Sequence, residues 1–101
     1  MSSEQSDQRW QFVTNHTQVL LCIARDPDIR LRDIADNVGV TLGTAQRILA
    51  DLVEAGYVKR ERHGRRNRYV INRDTPMLGH TAQDGHDIGG LLDLLRLENL
   101  E

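Results

Sequence analysis

The apolar residues of this chain fall into helical spacing at first and alternate later. Between about Asn15 and Arg25, Val19, Leu20, Cys22 and Ile23 share one helical face and Leu21 points the other way. Thr14 or Asn15 stands where an N-cap is needed, and Asp26-Pro27-Asp28 ends the run, because proline disfavours helical geometry in the residue before it. Ile29-Arg30-Leu31 leaves room for a very short strand. From Leu31 to about Asn37, the residues Leu31, Ile34, Ala35 and Val38 sit at i, i+3, i+4 and i+7 of a second helix. Gly39 breaks it, Val40 reads as buried, and Thr41 is the N-cap of a third helix. That helix runs to about Ala55 on a core stripe of Ala45, Ile48, Leu49, Leu52 and Val53, with Gly56 placed for the left-handed turn after it.

The period then changes to two. Tyr57–His63 and Arg68–Ile71 alternate as strands do, and Gly64-Arg65-Arg66-Asn67 joins them as a hairpin turn. Asn72 to Asp87 holds Pro76, Gly79 and Gly85 and few apolar residues, long for a connection inside a compact domain. A last helix is expected from about Ile88 to Leu100, with Asp87 as its N-cap. The resulting organisation is a polar arm over 1–9, a folded unit over 10–72, a linker over 73–87 and a C-terminal helix over 88–101. The fold class is α+β, mainly α: a three-helix core with a β-hairpin, plus one added helix.

Residues 31–50, LRDIADNVGVTLGTAQRILA, carry the most specific pattern. Two helices that cross steeply over a short turn need a small residue where they touch and a positive φ in the turn. Ala35 and Gly39 supply these, and Ile34, Val38, Val40, Ala45 and Ile48 close the wedge between the helices. A helix-turn-helix followed at once by a hairpin resembles the winged-helix fold. The run from Leu31 to Ile71 is similar to bacterial and archaeal winged-helix transcription regulators of the MarR, ArsR and IclR type. The similarity rests on the Ala35-to-Thr41 turn, the Leu52-to-Val58 ending and the Gly/Arg hairpin, and extends over about Val13 to Asn72. It implies sequence-specific binding to double-stranded DNA, usually by a homodimer.

Charge agrees with that implication only once it is resolved along the chain. The net charge is −2, yet residues 59–68, KRERHGRRNR, hold six basic side chains and one acid. The flanks are acidic, so positive charge is segregated into ten residues, which points to a polyanion. The third helix presents Thr41, Leu42, Gly43, Thr44, Gln46 and Arg47 on faces its core stripe leaves free. Arg47 can grip guanine O6 and N7, Gln46 can do the same for adenine N6 and N7, and Thr41 and Thr44 can bond phosphate or a base edge. Gly43 offers no side-chain contact and lowers helix propensity. On the wing, Arg60, Arg62, Arg65, Arg66, Asn67 and Arg68 are candidates for minor-groove or phosphate contact, with Arg65 and Arg66 at the tip. A winged helix acting as a protein-interaction module without DNA binding is the alternative reading.

The final helix is apolar on most sides: Ile88, Leu91, Leu92 and Leu95 form one face, and Leu94, Leu97 and Leu100 lie outside it. Such a helix must be covered on most sides, which one small domain does with difficulty. It is therefore expected to form a homodimer interface, with Trp10, Leu21, Leu91, Leu94, Leu95 and Leu97. No nucleophile–base pair stands out, so an enzyme is not expected. The single cysteine, Cys22, excludes an intrachain disulfide and a CxxC metal site. His80, Asp84, His86 and Asp87 are the only cluster resembling metal ligands, but their spacing reads as linker polarity, and no cofactor is expected. No apolar run is long enough to span a bilayer and the first residues are polar, which gives the expectation of a cytoplasmic protein without a membrane partner.

Overall fold

The computed structural model describes residues 11–77 and 86–96. Its order is α1 (Asn15–Arg25), α2 (Leu31–Val38), α3 (Leu42–Glu54), β1 (Val58–His63), β2 (Arg66–Ile71) and α4 (Ile88–Arg96). Each helix starts and stops for a local reason. The Thr14 hydroxyl accepts from the backbone N–H of Thr17, and that of Thr41 accepts from Thr44. The Asp87 carboxylate accepts from the N–H of Gly90 and opens α4. At the end of α2, Gly39 adopts φ 84° while Val40 N–H donates back to Ala35 O at 3.0 Å. The end of α3 closes in the same way, with Tyr57 N–H bonded to Leu52 O across Gly56.

The three helices meet around Ala35 and Ala45, whose small side chains let α2 and α3 approach closely. Val19, Leu20, Ile23, Ile34, Ile48, Leu49 and Leu52 fill the space between them. Val40 and Leu21 are only half-buried, each packed against the edge of this core. Leu21 therefore does not point away from the domain as its helical position implies.

β1 and β2 pair antiparallel from Val58↔Ile71 to His63↔Arg66. The turn is thus two residues, Gly64-Arg65, rather than the four expected. Gly64 takes φ 64° and Arg65 keeps a negative φ, which is the arrangement that suits a II′ hairpin. Arg66 and Asn67 consequently belong to the strand, and only Arg65 is at the tip. Val58 and Tyr69 are buried and tie the base of the hairpin to the helices.

No strand forms at Ile29–Leu31. The turn just before it offers one backbone acceptor, Pro27 O, to Tyr69 N–H at 3.0 Å. The described ends of the expected linker are also hydrogen-bonded into the domain. Asn72 N–H bonds Tyr57 O, the Tyr57 hydroxyl donates to Pro76 O at 2.6 Å, and Pro76 bridges Asp87. Arg73 pairs with Asp93 at 2.8 Å and donates to Gly89 O, so α4 is held where β2 ends. Ile88 and Leu92 of α4 join the same core as the three helices. The architecture is a winged helix-turn-helix, mainly α, with an added C-terminal helix.

Candidate nucleic-acid interface

The leading end of α3 is open to solvent. Thr41, Leu42, Gly43, Thr44, Gln46 and Arg47 are all exposed, while Ala45, Ile48 and Leu49 turn inward. This division follows from helical geometry: positions 45, 48, 49 and 52 make one stripe and the first turn has no neighbour above it. The Thr41 hydroxyl is committed locally, because it accepts from Thr44 N–H and donates to Thr44 Oγ1 at 2.9 Å. In this arrangement its proton is directed to Thr44 rather than outward. Thr44 keeps its own hydroxyl proton.

The wing stands beside α3. Gln46 and Leu49 of α3, the Asp28-to-Leu31 segment, and Arg60, Arg65, Arg66, Asn67 and Tyr69 of the wing border one cleft of about 410 Å³. Helix and hairpin therefore share a single water-open face. Five of the expected contact residues (Gln46, Arg60, Arg65, Arg66 and Asn67) are brought together there.

The basic side chains of the wing are not equivalent. Arg66 donates to Asp28 O at 2.7 Å, and Arg68 pairs with the Asp28 carboxylate at 3.2 Å. Arg62 folds back onto the turn through Gly64 O at 3.1 Å, and Lys59 lies 4.0 Å from Glu61. Arg60 and Arg65 have no such bond among the described residues. Arg66 and Arg68 thus brace the second strand against the Pro27-Asp28 turn, beside the Tyr69–Pro27 backbone bond. That turn is itself set by Asp26, whose carboxylate accepts from Asp28 N–H at 3.0 Å.

Asp28 and Arg30 were not legible as site residues. Arg30 is exposed at the start of α2 and lines the cleft. Its signal was only its position before the helix-turn-helix, where the first helix of such a unit crosses a nucleic-acid backbone. Asp28 read simply as a helix stop, because its partner Arg68 is 40 residues away.

The residues expected at a dimer contact are spread. Leu91 and Leu95 are half-buried on α4, and Leu94 is 64 % exposed. Trp10 and Leu97 lie outside the described residues, as do His80 and Asp84 of the polar cluster. Among the described residues no group of three or more His, Cys, Asp or Glu side chains could hold a metal ion. Cys22 is buried, which raises its pKa above the ordinary thiol value against the smaller opposing effects of the Arg25 charge and a hydrogen bond with Asn37. It is a poor thiolate, and so a poor redox switch. Among the described residues no helix is long and apolar enough to cross a membrane.

A family model of the IclR helix-turn-helix domain matches residues 13–62, from the residue before the α1 cap to the fifth residue of β1. No curated protein matches the chain. The three helices, the capped turn between α2 and α3, and the start of the wing are the part so matched, and over these residues the chain carries a winged helix-turn-helix domain of the DNA-binding transcription-regulator type.

Proposed function

We propose that this chain binds duplex DNA in a sequence-dependent way, with α3 in the major groove and the wing along the adjacent backbone and minor groove. The observation that carries the proposal is the shared cleft. Gln46 on α3 and Arg60, Arg65, Arg66 and Asn67 on the wing border it from two sides, and the first turn of α3 is exposed next to it. A helix lying in a groove needs its leading end bare and cationic groups at the distance of the flanking phosphates. In this arrangement Arg47 and Gln46 read base edges, Arg60 and Arg65 meet phosphate or the minor groove, and Arg66 and Arg68 hold the wing in place.

The functional unit is a homodimer joined through α4. Leu94 supports this, since a leucine 64 % exposed beside half-buried Leu91 and Leu95 leaves an apolar surface on that helix. A two-fold pair of recognition helices reads half-sites about 34 Å apart.

Enrichment of bound fragments from a random-sequence duplex pool, followed by mobility shifts in rising salt, tests the reading. The expected result is a two-fold-symmetric consensus whose affinity falls steeply with salt, with a log–log slope of about −0.9 for each phosphate neutralised. Absence of enrichment, or binding indifferent to salt, would leave the domain as a protein-interaction module instead.

A further inference from the structure

The first turn of α3 is unusual in what it presents. Leu42 is 49 % exposed, whereas Ile48, Leu49 and Leu52 of the same helix are buried. Gly43 follows, and a Cβ built there would meet nothing within 4 Å. Its backbone is helical, so neither a turn nor internal packing requires glycine. Alanine would fit and would favour the helix. Nothing among the described residues therefore requires glycine here, and its backbone is left open to close approach from outside. The hydroxyl of Thr41 is spent on the cap, as described above. What remains outward on this turn is an apolar side chain, a bare stretch of backbone, and the methyl group and single donor of Thr44.

We infer that Leu42 is a specificity-determining residue that reads a thymine 5-methyl group in the major groove, and that Gly43 lets the helix seat closely enough for it to do so. The inference rests on the DNA-binding reading above and adds the base that the first turn selects. Thymine is the only base whose major-groove edge carries a methyl group, and apolar side chains are its usual partners. Gln46, one turn further along the same helix face as Leu42, borders the basic cleft, so a duplex drawn to that cleft would meet this turn as well. Leu42 is the N1 residue of α3, among the positions that enter the groove first.

The test uses the full chain and the duplex recovered from the random pool. Each thymine is replaced in turn by deoxyuridine, which removes the methyl group and leaves base pairing intact. One thymine per half-site is expected to weaken binding by about fourfold per half-site when so replaced, the effect of withdrawing one methyl from apolar contact. In Leu42→Ala the same replacement should have no effect, and its overall affinity should be lower than wild type. Leu42 is exposed, so this variant keeps its melting temperature. Gly43→Ala should raise the melting temperature by roughly 4 °C while weakening DNA binding, a pairing of effects that a merely structural role cannot produce. A recovered duplex that tolerates deoxyuridine at every thymine overturns the inference, as does equal sensitivity in Leu42→Ala. Either leaves the DNA-binding reading standing. Failure to recover any duplex overturns both.

Discussion

Removing Arg65 and removing Arg68 delete the same charge from the same hairpin, yet the structure predicts different consequences. Arg65 sits at the tip, lines the cleft and has no ion pair or side-chain hydrogen bond among the described residues. Arg65→Ala should therefore leave the urea midpoint unchanged. It should lower the salt slope of DNA binding by about 0.9 per protomer, so that about 3.5-fold less affinity is lost between roughly 50 and 200 mM salt. Arg68 is already neutralised by Asp28 at 3.2 Å, with the two side chains 45 % and 55 % exposed. At that exposure solvent screening reduces the pair to ~0.2–1 kcal/mol of stability. Arg68→Ala should lower the urea midpoint by that small amount and leave the salt slope near wild type, because Arg68 displaces few counterions while Asp28 holds it. Its affinity should fall through the unbalanced Asp28 carboxylate, and adding Asp28→Asn should recover part of that loss. In Arg65→Ala the same addition should instead free Arg68 and restore part of the lost salt slope. Mobility shifts over a salt series and urea melts of the five proteins decide the matter. Equal salt slopes for the two arginine variants would refute the division of the wing into bracing and contacting residues.

Four further outcomes follow from the structure. Gly39→Ala should cost roughly 1–2 kcal/mol in urea denaturation, since φ 84° is strained for any side chain although the space is open. Leu92→Ala, at a fully buried position of α4, should cost roughly 2–5 kcal/mol. Leu94→Ala should leave folding within about 0.5 kcal/mol and weaken self-association in sedimentation equilibrium; a wild-type chain that stays monomeric at all concentrations would remove α4 as the dimer contact. Burial raises the Cys22 pKa, so the thiol ionises at lower pH in the unfolded chain than in the folded one. Stability from this group is complete below the ordinary thiol range and is lost as the pH rises through it toward the folded value. Urea midpoints should accordingly fall across that alkaline interval in wild type, and Cys22→Ala should flatten the decline.

What the sequence made legible was local. Helix limits followed from residues within one turn of each end: Thr14, Thr41 and Asp87 as caps, Pro27 as a stop, and Gly39 and Gly56 as left-handed turns. The core followed from period, because Ile34, Ala35, Ala45, Ile48 and Leu49 must all face one way for two helices to cross at Ala35. Partners distant along the chain were not legible. Nothing near Asp28 in sequence indicates that Arg66 and Arg68 reach back to it, and the missing strand at Ile29–Leu31 is the same oversight. Beside β2 stands the Pro27-Asp28 turn instead, bonded by the Tyr69 backbone and by two arginine side chains. The described ends of the connection after β2 show a related limit. Tyr57 holds Pro76 and Arg73 holds Gly89 through bonds that span sixteen residues or more, which no local pattern announces. Charge shows the same limit. Six basic residues in ten could be counted from the sequence, but not that half of them, Arg62, Arg66 and Arg68, are spent on shaping the hairpin. The cationic surface left for a polyanion centres on Arg60 and Arg65, with Arg30 and Arg47 contributed by the helices. An acidic chain can therefore present a basic face without a basic total, because that face needs only a few unpaired guanidinium groups held at fixed positions by others that are paired.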